Sequence, residues 1–89
     1  MQQVIDGLLY DTYTALHVGG YGTYAGSGTC RCEVYVTKKG NWFEVSPKYP
    51  FGHTFRVISG KYAERMARED MYSTIDLSLL VNFLDYQEA

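Results

Sequence analysis

Residues 30–46, CRCEVYVTKKGNWFEVS, constrain the fold more than any other stretch of this chain. The segment alternates with a period of two. Cys30, Cys32, Val34 and Val36 fall on one side, and Arg31, Glu33 and Tyr35 on the other, which is the pattern of a β-strand. Thr37 to Asn41 then reads as a hairpin turn with Gly40 at a positive φ, and Trp42 to Ser46 as the returning strand. Two registers compete. A two-residue loop at Lys39-Gly40 sets Val36 opposite Phe43 and Val34 opposite Val45, leaving Tyr35, Trp42 and Glu44 outside. A three-residue loop with a glycine bulge sets Tyr35 opposite Phe43 and Val36 opposite Trp42. A slip of one residue exchanges the faces. We expect the first register, because it gathers one apolar face into a core.

The flanking segments add to this hairpin. Asp6-Gly7 reads as a turn and Leu8 to Thr14 as a strand, with Leu8, Tyr10 and Thr12 on one side. Gly19 to Gly28 reads as a loop, since glycine is costly inside regular elements. Pro47 and Pro50 end the Trp42 strand. Phe51 to Thr54 turns the chain into a strand running to Ile58. Ser59 is placed to cap a helix reaching Asp70. Tyr62, Ala63, Met66 and Ala67 form its apolar stripe, and Glu64–Arg68 and Arg65–Glu69 are its i,i+4 pairs. Ser78 reads as the cap of a last helix that buries Leu80, Phe83 and Leu84. The expected fold is α+β: a three- to four-stranded antiparallel sheet with one or two helices packed on one face.

Length and composition bound the function. Eighty-nine residues suffice for one domain, taken as 1–89. An apolar fraction of 46% excludes a disordered chain. Aromatics reach 16%, with nine tyrosines, a composition common at strands and interfaces. The net charge of −2 argues against a nucleic-acid binder driven by bulk charge. All eight Lys and Arg lie between Arg31 and Arg68, while residues 1–29 carry only Asp6 and Asp11. MQQVIDGLLYD lacks a basic n-region and a long apolar run, so no signal peptide and no membrane span are expected. Cys30 and Cys32 are too far apart on one strand face for an easy disulfide, which points to reduced thiols and a cytoplasmic protein.

The chemical motifs are weak. Gly20-Tyr-Gly22-Thr-Tyr-Ala25 matches G-x-G-x-x-A, but a dinucleotide site needs that motif between a strand and a helix. Here Gly26-Ser-Gly28 follows, which cannot start a stable helix. Cys30, Cys32, His17 and His53 give a Cys₂His₂ set by count, yet their spacing is not that of a zinc knuckle. Buried thiols are the plainer reading. No nucleophile elbow or paired acidic motif accompanies either histidine, so no enzyme and no cofactor are expected. Arg31, Lys38, Lys39, Lys48 and Arg56, with Tyr35 and Trp42 exposed beside them, could line a basic aromatic face for single-stranded nucleic acid. Ordinary edge lysines explain the same residues. The glycine-rich segment could also cradle a phosphate in a nucleotide-signal sponge.

Three segments carry a family resemblance: Gly7-Leu-Leu-Tyr-Asp-Thr-Tyr-Thr-Ala15, Tyr35-Val-Thr-Lys-Lys-Gly-Asn-Trp-Phe43 and Ile75-Asp-Leu-Ser-Leu-Leu-Val-Asn-Phe-Leu84. Their order and spacing resemble small proteins of phages and other mobile elements. The resemblance implies an inhibitor of bacterial defence, most specifically an anti-CRISPR protein acting on a Cas effector in the host cytoplasm. The expected mechanism is steric and non-enzymatic. The expected contacts are Tyr21, Tyr24, Tyr35, Lys38, Lys39 and Trp42, with Tyr49 and Phe51 on the rim. A homodimer is the other way such an aromatic face would be covered.

Overall fold

The structure is a computed structural model that describes residues 1–22, 24–25, 28–29, 31–48 and 51–84. Strand β1 (Gln2–Ile5) turns through Asp6 and Gly7, both at positive φ, into β2 (Leu8–Asp11). Ile5 pairs with Leu8 across this two-residue turn, the geometry that Asp-Gly favours. Strand β3 (Leu16–Tyr21) follows, then a short ribbon of β4 (Tyr24–Ala25) and β5 (Gly28–Thr29). Strands β6 (Cys32–Val36), β7 (Trp42–Pro47) and β8 (His53–Ile58) complete a four-stranded antiparallel sheet in the order β3-β6-β7-β8. Helix α1 (Gly60–Glu69) comes next, then a 3-10 turn (Leu77–Leu79) and the short α2 (Leu80–Phe83). The expected α+β class holds, and the sheet has four strands.

The hairpin register is the second of the two considered. Val36 pairs with Trp42, Tyr35 with Phe43, Val34 with Glu44 and Glu33 with Val45. Gly40 sits at φ 86° and its N–H donates to Thr37 O, closing a three-residue loop. The expectation of a one-sided core caused the misreading, because both faces of this sheet are covered. Val18, Tyr21, Val34 and Val36 pack with Ala63 of α1 and Leu80 of α2 on one face. Phe43 and Val45 pack with Tyr10 of β2 on the other. With apolar partners on both sides, neither register is penalised for facing water, and the glycine bulge decides.

Other expectations need adjustment. The Gly19–Gly28 segment is not all loop, since β3 runs through Gly19 and Gly20. Glycine is required there. A Cβ on Gly19 would lie 2.6 Å from the Thr74 carbonyl carbon, because residues 74–76 lie along the outer edge of β3. Thr74 N–H donates to Gly20 O at 2.9 Å, and Asp76 N–H to Val18 O at 2.8 Å. Ser59 caps α1 as expected, its hydroxyl accepting from Tyr62 N–H. Neither Glu64–Arg68 nor Arg65–Glu69 closes into an ion pair. Asp76, not Ser78, caps the C-terminal turn, because its carboxylate accepts from both Ser78 N–H and the Ser78 hydroxyl. No described helix is long and apolar enough to cross a membrane.

Candidate functional site

The two layers on the sheet scatter the expected contact residues. Tyr21 is buried, facing α1. Trp42 lies half-buried on the same face, close enough that a Cβ on Gly60 would sit 3.1 Å from its indole nitrogen. Tyr35 is on the opposite face, stacked on Phe43 with ring centroids 5.2 Å apart. The expected joint exposure of Tyr21, Tyr35 and Trp42 is therefore corrected, and Tyr35 and Trp42 share no face. Phe51 is exposed in the turn between β7 and β8. The side chain of Tyr24, and Cys30 and Tyr49 altogether, lie outside the described residues.

The basic residues separate as well. Arg31 donates to Tyr72 O and Thr74 Oγ1. Arg56 pairs with Glu44 at 2.6 Å on the helix face. Lys38 and Lys39 remain exposed at the hairpin tip. Lys38 Nζ donates to Phe83 O at 2.8 Å and stands 4.3 Å from the Phe83 ring centroid, which ties the tip to α2. No single basic aromatic platform forms from this set.

The surface that does form joins the lysine turn to the N-terminal hairpin. Leu8, Leu9, Tyr10, Asp11 and Thr14 face Thr37, Lys38, Lys39 and Asn41 across a trough of about 310 Å³. Leu8 is 48% exposed and Leu9 55%. Val4 and Tyr13 add further exposed apolar surface on and beside the same hairpin. Sequence reasoning missed these contacts although the signal was present. Consecutive leucines in a two-residue hairpin point to opposite faces, so they cannot both enter one core.

The metal alternative gains no geometry. His17 Nε2 lies 3.3 Å from Glu33 Oε1 and its ring packs on Tyr35. His53 is at the far end of β8, and Cys32 faces the helix layer. Among the described residues, no group of three or more His, Cys, Asp or Glu is placed to hold an ion. The G-x-G-x-x-A segment runs from β3 into β4, so no helix follows it to receive a phosphate.

The strongest electrostatic feature is a closed ring of polar groups under α1. The Tyr21 hydroxyl donates to Glu44 Oε2. Its oxygen lies 2.9 Å from the Tyr62 hydroxyl. Because the Tyr21 proton is committed to Glu44, Tyr62 is the donor there, and it accepts in turn from Arg56 Nη2 at 3.2 Å. Arg56 closes the ring on Glu44 Oε1. Glu44 is the buried charged residue of the described core, and this ring satisfies it.

Burial raises the Tyr21 hydroxyl pKa well above its ordinary 10.0, and the Glu44 and Tyr62 hydrogen bonds and the Glu44 charge add to the shift. Burial, then the Glu33 charge, raises Tyr35 in the same direction. Groups raised in the folded state stabilise fully below their unfolded pKa. Above about pH 10 the unfolded tyrosines lose protons that the folded ones keep, so stability falls as pH rises. For Tyr21 the slope should approach about 1.4 kcal/mol per pH unit once the unfolded tyrosine is ionised, above about pH 10, with Tyr35 adding in the same direction. Urea melts between pH 9 and pH 11 measure it, and Tyr21→Phe should flatten the loss. An unchanged slope in that variant would place the titration elsewhere.

A scan against protein-family models and searches of the curated proteins and the solved structures returned no match.

Proposed function

We propose that this chain is a non-enzymatic binding protein of a phage or mobile element, one that occupies the surface of a bacterial defence protein in the host cytoplasm. A Cas effector is the most specific target, following the resemblance of its YDTYTA, YVTKKGNWF and C-terminal segments to small phage proteins. The observation that supports a binding role is the exposed apolar hairpin beside a lysine turn that closes no ion pair among the described residues. Val4, Leu8, Leu9 and Tyr13 are left in water by a chain that buries apolar side chains on both faces of its sheet. Grouped exposed apolar side chains with a charged rim are the signature of a docking surface. The contact set moves accordingly. Leu8, Leu9, Lys38 and Lys39 form its centre, while Tyr21 and Trp42 support the scaffold.

The mechanism is occlusion. Strand β2 and the lysine turn present two firm walls to the trough between them, because Tyr10 anchors the first and Lys38 braces the second. Leucines supply desolvated contact and the lysines select an acidic rim on the partner.

The test is capture by tagged protein from nuclease-treated lysate of a bacterial host carrying CRISPR systems. One stoichiometric partner from a defence complex is expected. Leu8→Asp with Leu9→Asp should reduce its recovery at least about tenfold, the loss of roughly 1.4 kcal/mol or more of binding. Capture that is unaffected by this pair would remove the surface from the reading. Failure to recover any defence component would remove the inhibitor reading itself.

A further inference from the structure

The two edges of the four-stranded sheet are treated differently. The β3 edge is closed by residues 74–76, whose N–H groups bond to Gly20 and Val18. The β8 edge has no such cover among the described residues. The phase of the ladder shows what it presents. Alternate residues of a central antiparallel strand turn their N–H and C=O groups to alternate neighbours. Thr37 N–H donates to Asn41 O, so the odd-numbered residues of β7 bond to β6 and the even-numbered ones to β8. Lys48 N–H donating to Gly52 O continues the same phase. Thr54, Arg56 and Ile58 therefore bond inward, and His53, Phe55 and Val57 turn their backbone groups outward.

Natural edges are usually guarded by lysine, proline, a bulge or a covering loop. Among the described residues, strand β8 has none of these. It reads HTFRVI, and its six pairs with β7 run without a break. Its one strong charge, Arg56, is engaged by Glu44.

We infer that β8 is a homodimer interface, at which two copies join edge to edge into one antiparallel eight-stranded sheet. One register satisfies every outward group. Phe55 lies on the two-fold axis opposite its own copy, and His53 faces the partner's Val57. This forms six backbone hydrogen bonds and sets Arg56 against threonine. A shift of one pair toward Ile58 would set Arg56 against the partner's Arg56, which like charges oppose. The opposite shift leaves Val57 unpaired. A strand that complements itself so fully needs no second kind of partner. This inference is independent of the docking surface on the N-terminal hairpin.

Sedimentation equilibrium of the whole chain over about 5–500 μM tests it, a range that reveals dissociation constants up to the submillimolar. Twice the chain mass is expected. Val57→Pro removes an outward N–H and no bond of the internal ladder, and Val57→Lys installs an edge guard. Both should sediment as folded monomers. Amide exchange should show His53, Phe55 and Val57 protected in the parent and exchanging freely in the Val57→Lys protein. A parent that stays monomeric throughout, a dimer that survives both substitutions, or three unprotected amides in a dimer would each overturn the inference.

Discussion

Phe43→Ala is expected to cost about 3–5 kcal/mol, the usual penalty for emptying a fully buried aromatic site. Phe43 has no exposed surface. Its ring is met edge-on by Tyr10 at 5.3 Å and stacked by Tyr35 at 5.2 Å and Phe55 at 5.8 Å. No other described side chain joins β2, β6, β7 and β8 in this way. Folded domains hold only about 5–15 kcal/mol, and small ones lie at the low end. The variant should therefore sit close to its unfolding threshold at room temperature. Urea unfolding followed by circular dichroism measures the loss. Val81→Ala, at an exposed position on α2, should change stability by less than about 0.5 kcal/mol. A Phe43→Ala loss below about 1.5 kcal/mol would mean that the N-terminal hairpin is held by other contacts.

The second large effect is expected at Arg56. More than half of its side chain is exposed, so its Coulombic attraction to Glu44 is heavily screened. The cost of Arg56→Ala arises at the other end. Glu44 Oε1 would lose its partner while remaining buried, a penalty of about 1–3 kcal/mol. Arg65→Ala removes the same charge from the same ring, since both guanidiniums lie over Tyr62 at 5.4–5.5 Å. It faces no carboxylate among the described residues, and its replacement should cost less than about 0.5 kcal/mol. Equal losses at the two arginines would show that the Tyr62 contacts matter and the buried carboxylate does not.

Local signals in the sequence were faithful where the physics is local. Gly40, Ser59 and Asp6-Gly7 each declare a turn or a cap through their own backbone preferences, and each occurs where expected. The alternation of Cys32, Val34 and Val36 against Glu33 and Tyr35 is also present as read. The register of β6 on β7 was not legible, because it depends on whether the far face of the sheet meets water. Tyr10 covers that face from a hairpin whose first strand, QQVI, is too short and polar to announce itself. Gly19 and Gly20 suggested a loop for a similar reason. The missing side chain of Gly19 makes room for Thr74 and Ile75, more than fifty positions away, and that of Gly20 makes room for Cys32 and Glu33 of β6, and no local pattern records either approach. Glu44 alone hinted at the polar ring, as a charge set within an otherwise apolar strand. Tyr35 and Trp42 were placed at the surface by the register that the hairpin does not adopt, and Tyr21 by the glycine–tyrosine composition of its segment, which does not say which way a ring points.

The sheet also acts as a wall between two apolar compartments. Val34 and Val36 answer to α1 and α2, and Phe43 and Val45 answer to the N-terminal hairpin. Substitutions confined to opposite compartments share few neighbours, and their stability effects are expected to add. The exposed side chains of the outer hairpin can then change without disturbing the packing of the helical compartment.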